Sequence, residues 1–277
     1  MGTDAQRGTV LTTGANSGIG LATALEVAKR GYRSVGTVRS ERKAAVLRQA
    51  AAEAGVSIEA AILDVNDEDA CASTIEAVGP LYGLVNNAGY SNVGAIEDVS
   101  DQDVRDQFET MTIAPMRLAR LALPGMRDDG RGRIVNVSSI FGRTTTPLTG
   151  WYQATKHALE AASDALRMEV AGDGIQVVLV QPGGFTTSIW DGNEQDIARH
   201  ADSRFADAYQ REMRLTRLAQ PFMGDPQQVA ALIGRVLDAR WNRARYLIGA
   251  DAHAAAVLEQ FTPTALKDRI TRFGFGL

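Results

Sequence analysis

The sequence has 277 residues, of which 45% are hydrophobic and 22% are charged, and its formal net charge at pH 7 is −4. These values fit one globular domain with a sizeable core, and they exclude a general electrostatic attraction to nucleic acid or to an anionic membrane. The single cysteine, Cys71, excludes an internal disulfide, and the three scattered histidines form no metal-binding pattern with it.

The chain begins with a short polar segment, Met1 to Gly8, that leads directly into a predicted strand at Thr9–Thr13. This segment lacks the apolar core of a signal peptide, and no apolar run elsewhere approaches the roughly 20 residues of a membrane-spanning helix. Together with the lone cysteine, these features predict a soluble protein of the reducing cytoplasm that has no membrane partner.

Short β-rich runs then alternate with longer helical patterns. Strands are predicted at Thr9–Thr13, Ser34–Val38, Ile58–Leu63, Leu84–Asn86, Arg133–Val137, Gln176–Val180 and Tyr246–Ile248. Helices are predicted at Ile19–Arg30, Glu41–Ala54, Asp67–Val78, Asp101–Met126, Gln153–Val170 and Pro226–Ala239. Runs such as Val177–Val180 are apolar throughout, which is typical of strands with both faces buried in a parallel sheet. The alternation predicts an α/β fold with a doubly wound parallel sheet (a Rossmann fold) that forms a single domain over residues 1–277.

Residues 188–224 interrupt this alternation. Charged residues are mixed there with a series of large apolar ones: Trp190, Phe205, Tyr209, Met213, Leu215, Phe222 and Met223. The segment follows the carboxyl end of a predicted strand, where such sheets bind ligands, and we interpret it as a small helical substrate lid. Ordinary amphipathic helices packed on the body would give the same pattern, and the two interpretations are compatible.

A glycine-rich turn with the sequence TGANSGIG, from Thr13 to Gly20, follows the first strand and opens the first helix. Glycine allows a tight turn and a close approach of the backbone to a ligand, and the N–H groups at the helix start face an anion. The spacing differs from the usual Gly-x-Gly-x-x-Gly dinucleotide turn. We expect cofactor phosphate contacts from Gly14, Asn16, Ser17, Gly18, Ile19 and Gly20.

The end of the second strand indicates which nicotinamide cofactor is bound. NAD-binding proteins usually carry an acidic residue there, which holds the ribose 2′-hydroxyl. Val38 occupies that position in this sequence and Arg39 follows it, offering a planar cation with several donors to a 2′-phosphate. The sequence therefore predicts NADP(H), although an exposed surface arginine would look the same.

A catalytic group is predicted around Tyr152 and Lys156. Their four-residue spacing places both side chains on one face of a helix, one turn apart. A phenol is a poor base at neutral pH, and a neighbouring ammonium lowers its pKa, so that the pair can exchange a proton with an alcohol or alkoxide. Ser139, at the end of the strand Arg133–Val137, can hydrogen-bond the same substrate oxygen, or it can simply cap a turn.

These motifs, in this order, resemble the short-chain dehydrogenase/reductase family in its single-domain form. The matching pieces cover about residues 9 to 190 and are Thr13–Gly20, Asp64 with Val65, Asn86 to Gly89, Ser139, Tyr152 with Lys156, and Pro182 and Gly183 with Thr187. Further contacts with the cofactor are implied by the resemblance: Asp64 and Val65 at the adenine, Asn87, Ala88 and Gly89 along the ribose side, Lys156 at the nicotinamide ribose, and Pro182, Gly183, Phe185 and Thr187 at the nicotinamide. It also implies a homo-oligomer, a dimer or tetramer, formed through the helices Asp101–Met126 and Gln153–Val170.

One position departs from the family pattern. The family's catalytic Asn, whose main-chain carbonyl holds a water that links the lysine to solvent, falls on Met111. Methionine cannot supply an amide, but Pro115 lacks the N–H that would bond the Met111 carbonyl in an α-helix. We therefore predict a kink here and expect the backbone carbonyl of Met111 to keep the water site. Alternatively, Pro115 only shapes the helix for packing and the relay is degraded.

The predicted function is hydride transfer between NADP(H) and a carbonyl or alcohol carbon of a small molecule, with Ser139, Tyr152 and Lys156 as the catalytic side chains. The apolar residues of the segment 188–224 favour a hydrophobic substrate such as a steroid, retinoid or ketone. A catalytically weak NADP(H)-binding regulator is the alternative, and Met111 is its only support. An epimerase or dehydratase of the same broad fold usually needs a larger C-terminal substrate domain than this sequence contains.

Overall fold

A computed structural model describes residues 7–187 and 193–277, and one seven-stranded sheet organises them. The strands are β1 (Thr9–Thr13), β2 (Arg33–Val38), β3 (Glu59–Ile62), β4 (Gly83–Asn86), β5 (Gly132–Val137), β6 (Ile175–Pro182) and β7 (Arg245–Ile248). Their order is β3-β2-β1-β4-β5-β6-β7, and all neighbouring pairs are parallel. The predicted doubly wound parallel sheet is confirmed, and its direction of winding changes between β1 and β4.

The helices cover both faces of the sheet. They are α1 (Gly18–Lys29), α2 (Glu41–Glu53), α3 (Glu68–Val78), α4 (Asp101–Phe108), α5 (Ala114–Asp128), α6 (Gly150–Glu169), α7 (Asn193–Arg199), α8 (Ala206–Ala219), α9 (Pro226–Asp238), α10 (Ala250–Phe261) and α11 (Thr264–Phe275). A π-helical turn at Glu109–Ile113 joins α4 to α5, and short 3-10 helices lie at Ile140–Gly142 and Gln220–Phe222. Among the described helices, none is both long and apolar enough to cross a membrane.

Successive residues of the central strands point to opposite sides of the sheet, and apolar residues of these strands are buried on both sides. On one side they pack against α3 and α5, and on the other against α1 and α9. The residues of the first side are Leu11, Leu84, Ile134 and Val177, and those of the second are Val10, Val85, Val135 and Val178. Each fully buried side chain of this kind contributes about 1.5–3 kcal/mol, so this core fixes the positions of the strand ends.

The sequence analysis did not predict α10 and α11. Their outward faces carry large apolar residues instead of polar ones, which removes the polar stripe that normally reveals a surface helix. Leu258 and Phe261 of α10, and Ile270 and Phe273 of α11, are all more than half exposed. The predicted lid region contains α7 and α8, while its residue Trp190 lies outside the residues that the structure describes.

The helix α8 is fastened to the loop that follows β4. The Tyr209 hydroxyl accepts a hydrogen bond from the Ala95 N–H at 2.6 Å and donates one to the Asp98 carboxylate at 2.7 Å. Leu148 packs beside Tyr209 and has a φ of 66°, a left-handed conformation that is uncommon for a non-glycine residue. Its carbonyl accepts from the Gly94 N–H at 2.6 Å. These contacts fix α8 beside the carboxyl edge of the sheet.

Candidate active site

A cleft opens along the carboxyl ends of β1 to β6, where sheets of this topology bind ligands. Its volume is about 660 Å³, which is within the usual range of small-molecule sites. All residues with a predicted catalytic or cofactor role line it: Gly14, Asn16, Ser17, Gly18, Ile19, Gly20, Arg39, Asp64, Val65, Asn87, Ala88, Gly89, Met111, Ser139, Tyr152, Lys156, Pro182, Gly183, Phe185 and Thr187.

The glycine-rich turn brings backbone N–H groups to this cleft. Gly14 and Gly18 have φ values of 67° and 52°, in the region that favours glycine. A Cβ on Gly20 would lie 2.2 Å from the Gly14 carbonyl oxygen, so the turn is too tight for a side chain there. The first α-helical bond of α1 runs from the Leu21 N–H to the Ser17 carbonyl, and the first turn contains no acidic residue. This helix start is suited to an anion.

Hydrogen bonds join the glycine-rich turn to the loop after β4. Thr13 Oγ1 accepts from the N–H groups of both Asn87 and Ala88 at 2.9 Å, and Asn87 Nδ2 donates to the Thr13 carbonyl at 2.9 Å. A Cβ on Gly14 would lie 3.0 Å from Ala88 Cα, so the glycine also permits the close approach of the two segments. Both segments are thereby fixed on one wall of the cleft.

Two cationic residues line the cleft where β2 passes into α2. Arg39 is exposed and follows the buried Val38, while Lys43 is half-buried. Burial and the neighbouring charge of Arg39 lower the pKa of Lys43. The sequence analysis did not predict Lys43, although its position four residues after Arg39 was a usable signal. This part of the cleft is suited to a second anionic group.

The loop after β6 is held in place by an aspartate of α10. The Asp251 carboxylate accepts from the Gly184 N–H at 2.6 Å, and a Cβ on Gly183 would lie 2.3 Å from the same carboxylate. Asp251 itself lines the cleft. This contact was not predictable from a local sequence pattern, because Asp251 is 67 residues away from Gly184 along the chain.

Ser139, Tyr152 and Lys156 are buried side by side, with 8%, 9% and 6% of their surface exposed. The hydroxyl groups of Ser139 and Tyr152 are hydrogen-bonded to each other. Lys156 Nζ lies 5.8 Å from the centre of the Tyr152 ring and donates to the Val137 carbonyl at 3.0 Å. Ser139 Oγ also accepts from the Phe141 N–H at 3.1 Å, so this serine caps the short 3-10 helix as well as facing Tyr152.

The expected lowering of the phenol pKa by the lysine is wrong for this arrangement. Burial raises the pKa of Tyr152 to about 12, and the hydrogen bond with Ser139 offsets only part of that effect. Burial also lowers the pKa of Lys156 to about 8. Desolvation is the largest effect on both groups, and at neutral pH Tyr152 is a protonated phenol beside a lysine that is still mainly charged.

A buried carboxylate that the sequence analysis missed lies one helical turn beyond Lys156. Glu160 raises the pKa of Lys156, against the larger effect of burial. It accepts hydrogen bonds from Gln181 Nε2 at 2.9 Å and from Arg245 Nε at 2.8 Å, and it is only 6% exposed. The Lys-x-x-x-Glu spacing was the available signal, but the partners on β6 and β7 were not visible in the sequence.

The predicted continuous helix Asp101–Met126 is wrong at its centre, where the π-helical turn Glu109–Ile113 interrupts it. The Ala114 N–H donates to the Glu109 carbonyl five residues earlier. Pro115 lies in the first turn of α5, and its missing N–H disfavours a regular helix at this point. The irregularity expected at Met111 is present as a π turn rather than a kink.

The side chain of Met111 contributes to the wall of the cleft. It is 1% exposed, and its Sδ would lie 3.0 Å from a Cβ on Gly89. The residues just after the π turn are bound to the sheet: Asn86 Nδ2, on β4, donates to the Pro115 carbonyl at 3.2 Å and to Asn136 Oδ1, on β5, at 2.8 Å. The position of Met111 is therefore determined by the sheet as well as by its own helix.

The fold, the glycine-rich turn and the buried tyrosine–lysine pair together define an oxidoreductase of the kind that uses a nicotinamide cofactor. Residues 8–198 match the family model described as short chain dehydrogenase. The chain belongs to this family.

Relatives and solved structures agree with this assignment. An oxidoreductase named YusZ from Bacillus subtilis is 37% identical over 247 residues, covering 86% of this chain and 88% of YusZ. Retinol dehydrogenase 7 of Rattus norvegicus is 30% identical over 285 residues, covering 96% of this chain and 88% of the relative. The structure of a short-chain dehydrogenase from Streptomyces avermitilis has a TM-score of 0.78 and 32% identity, covering 99% of this chain and 97% of that one. The actinorhodin polyketide ketoreductase, crystallised with NADPH, has a TM-score of 0.76 and 28% identity, covering 92% of this chain and 99% of that one.

The π turn leads to a prediction for Pro115. Pro115→Ala supplies an N–H that can form the regular helical bond to the Met111 carbonyl, which would convert the turn to α-helix and displace Met111. We expect turnover to fall while the melting temperature stays the same or rises, because a helix-interior proline costs about 3 kcal/mol. The measurement is NADPH oxidation with a carbonyl substrate, together with thermal unfolding.

Pro124→Ala is the matched control, because Pro124 lies inside the same helix α5 and does not line the cleft. It should leave turnover unchanged. The prediction would be contradicted if Pro115→Ala kept the turnover of the wild type while Met111→Leu lost most of it. That result would mean that the methionine side chain, and not its backbone carbonyl, is needed for turnover.

Proposed function

We propose that the protein is an NADP(H)-dependent reductase or dehydrogenase that acts on a hydrophobic carbonyl or alcohol. The observation that carries the proposal is the burial of Ser139, Tyr152 and Lys156 side by side in a cleft that also receives the glycine-rich turn. A proton donor and a phosphate-binding helix start in one cleft are the two parts that such a reaction needs.

The residues of the cleft fit a phosphorylated dinucleotide. The first-turn N–H groups of α1 suit the pyrophosphate. Arg39 and Lys43 suit a 2′-phosphate because both are cationic and because position 38 carries a valine instead of an acidic residue. Asp64 and Asn87 to Gly89 would border the adenosine and ribose, and Pro182, Gly183, Phe185 and Thr187 would border the nicotinamide. When bound, the cofactor supplies or accepts the hydride.

Each catalytic side chain has a role that its environment supports. Tyr152, whose pKa is raised by burial to about 12, is protonated at neutral pH and is suited to donate a proton to the oxygen of a carbonyl that is being reduced. The Lys156 ammonium stabilises the phenolate that remains, and Ser139 hydrogen-bonds the substrate oxygen. We assign the backbone carbonyl of Met111 to the water that reconnects Lys156 with solvent, as the family resemblance suggests.

The wall contributed by the C-terminal third of the chain supports a hydrophobic substrate. Leu215 of α8, Met223 and Phe275 of α11 line the cleft. The likeness to a retinol dehydrogenase is in keeping with an apolar substrate. We propose that α7, α8 and the surrounding segment 188–224 act as a lid that keeps water from the reacting groups.

We also propose that the protein is a single-domain, cytoplasmic homo-oligomer. Cys71, the one cysteine of the chain, is buried and reduced, which suits a reducing compartment. The helices α4 to α6 are the surface through which the family resemblance predicts a dimer or tetramer. A catalytically weak NADP(H)-binding regulator remains the second candidate, favoured by the methionine at position 111.

Replacing the proposed proton donor separates these two candidates. In Tyr152→Phe, we expect turnover of carbonyl compounds to fall roughly 10²- to 10⁴-fold, because a positioned general acid contributes about that much. The dissociation constant of NADPH, measured by the quenching of intrinsic protein fluorescence, should change little because the aromatic ring is retained. Turnover within a few-fold of wild type would exclude Tyr152 as the proton donor, and an absence of turnover in the wild type over a broad carbonyl panel would favour the regulator.

The preference for NADP(H) is tested at Arg39. In Arg39→Asp, the dissociation constant of NADPH should rise roughly ten- to hundredfold, because a charge-assisted hydrogen bond is replaced by repulsion, while that of NADH should stay the same. Arg42→Asp is the matched control: Arg42 is exposed on α2 and does not line the cleft. Equal losses for both cofactors in Arg39→Asp, or an equal effect of Arg42→Asp, would contradict the assignment.

A further inference from the structure

One face of α8 lines the cleft, and it is not uniformly apolar. Glu212, Leu215, Thr216 and Ala219 all line the cleft, and their spacing of three, four and seven residues places them on a single stripe of the helix. We call these four residues the α8 stripe. Its chemistry is unusual for the wall of a hydrophobic cavity, because a carboxyl group and a hydroxyl group interrupt the apolar surface.

The orientation of the α8 stripe is determined by contacts of Tyr209, which lies on the same face of the helix, one turn before Glu212. Tyr209 is 1% exposed, and its hydroxyl is bound by the Ala95 N–H and the Asp98 carboxylate. Ser203 Oγ, just before α8, donates to the same carboxylate at 2.7 Å. With Tyr209 fixed in this way, the helix cannot rotate to carry Glu212 into open solvent without breaking these buried hydrogen bonds.

Glu212 is therefore held half-buried in the cleft with little compensation from the protein. Its Oε1 accepts from Thr216 Oγ1 at 3.2 Å, and burial raises the pKa of this carboxyl group. A carboxyl group that loses hydration costs free energy unless donors replace the lost water. Within the described residues, the Thr216 hydroxyl is the one hydrogen-bond donor to this carboxyl group, which leaves acceptor positions for a ligand in the cleft.

A second acceptor lines the same cleft. Asn193, at the start of α7, lines the cleft and is 7% exposed, and its Oδ1 has no hydrogen-bond partner among the residues that the structure describes. Buried polar atoms of this kind are almost always satisfied when the binding partner is present. Two acceptors that line the cleft thus lack a full set of donors among the residues that the structure describes, 7–187 and 193–277.

From this we infer that Glu212 is a specificity-determining residue that binds a hydroxyl or amino group of the substrate, remote from the carbonyl that is reduced. Glu212 is on α8, whereas Ser139, Tyr152 and Lys156 are at the end of β5 and on α6, and all four line one cleft. A substrate that fills the cleft can therefore present a donor to Glu212 from one position and its carbonyl to Tyr152 from another. The predicted substrate class is an amphipathic hydroxy- or amino-carbonyl compound with an apolar chain between the two groups. This inference rests on the proposed function of the cleft.

A purely structural role for Glu212 makes a different prediction. Glu212 and Thr216 are four residues apart, and in a structural role their hydrogen bond would only stabilise α8 slightly. In that case a substitution of Glu212 would change thermal stability slightly and would affect all substrates equally. The two roles are separated by comparing substrates that differ only in the remote group.

The experiment uses the full-length protein with NADPH and three series of methyl ketones, from hexan-2-one to dodecan-2-one. One series is unsubstituted, the second carries a terminal hydroxyl and the third carries a terminal primary amine. The kcat and KM values of each series are measured for the wild type, Glu212→Gln, Glu212→Leu and the control Asp207→Asn. Asp207 is an exposed acidic residue of the same helix that does not line the cleft.

For the wild type, we expect one chain length at which the hydroxy or amino ketone has a kcat/KM about tenfold or more above that of the unsubstituted ketone. The difference should come mainly from a lower KM. Glu212→Leu should abolish this preference, so that kcat/KM becomes the same for the substituted and the unsubstituted ketones of one chain length. Glu212→Gln should keep the preference for the hydroxyl, since an amide oxygen still accepts, but lose that for the amine. Asp207→Asn should behave as the wild type does.

The absence of any preference in the wild type, or a preference that survives in Glu212→Leu, would overturn the inference. If no ketone is reduced although NADPH binds, the proposed function fails, and the inference about Glu212 is then decided by calorimetry. The dissociation constants of the same ketones for the enzyme with NADP⁺ are compared. Tighter binding of the hydroxy or amino compounds that is lost in Glu212→Leu supports the inference, while equal affinities or no binding overturn it.

Discussion

The burial of the Lys156 ammonium is the constraint on which the rest of the cleft depends. Removing a charged amine from water costs several kcal/mol unless nearby groups replace the lost hydration. The Val137 carbonyl accepts one hydrogen bond from it, and the carboxylate of Glu160 supplies the compensating charge. Glu160 is in turn held by Gln181 of β6 and Arg245 of β7. The charge state of the lysine therefore depends on strands that do not themselves carry catalytic residues.

A second buried network sets the position of the opposite wall. Asn86 and Asn136 are register partners on β4 and β5, and Asn136 Nδ2 donates to Ser163 of α6 at 2.8 Å. Because Asn86 also binds the Pro115 carbonyl, one chain of hydrogen bonds links the start of α5, which directly follows the π turn, with the sheet and with the helix that carries Tyr152. Buried hydrogen bonds of this kind make the region rigid, since breaking one leaves a buried donor unpaired at a cost in free energy. This rigidity keeps the distance and orientation between Met111 and Tyr152 constant.

Local sequence patterns predicted most of the sheet and the cofactor-binding part of the cleft. The residues that were missed are held by contacts between segments that are far apart in the sequence. The glycine-rich turn, Arg39 and the Tyr152–Lys156 spacing are short-range signals with a direct physical meaning. Glu160 and Arg245 are 85 residues apart, and Asp98 and Tyr209 are 111 residues apart, so only the folded chain shows that they meet. The raised pKa of Tyr152 was also hidden, because the degree of burial is a property of the packing around the phenol.

The most direct test of this account is the pH dependence of carbonyl reduction. The value of kcat/KM should fall as the pH rises through the pKa of Lys156, about 8, because the ammonium is lost. Glu160→Gln removes the negative charge that raises this pKa, so the falling limb of the pH profile, where kcat/KM decreases, should move to lower pH. Asp164→Asn removes only the other carboxylate partner of Arg245 and should leave the limb in place. A limb that does not move in Glu160→Gln, or that moves equally in Asp164→Asn, would contradict the central role of the buried lysine.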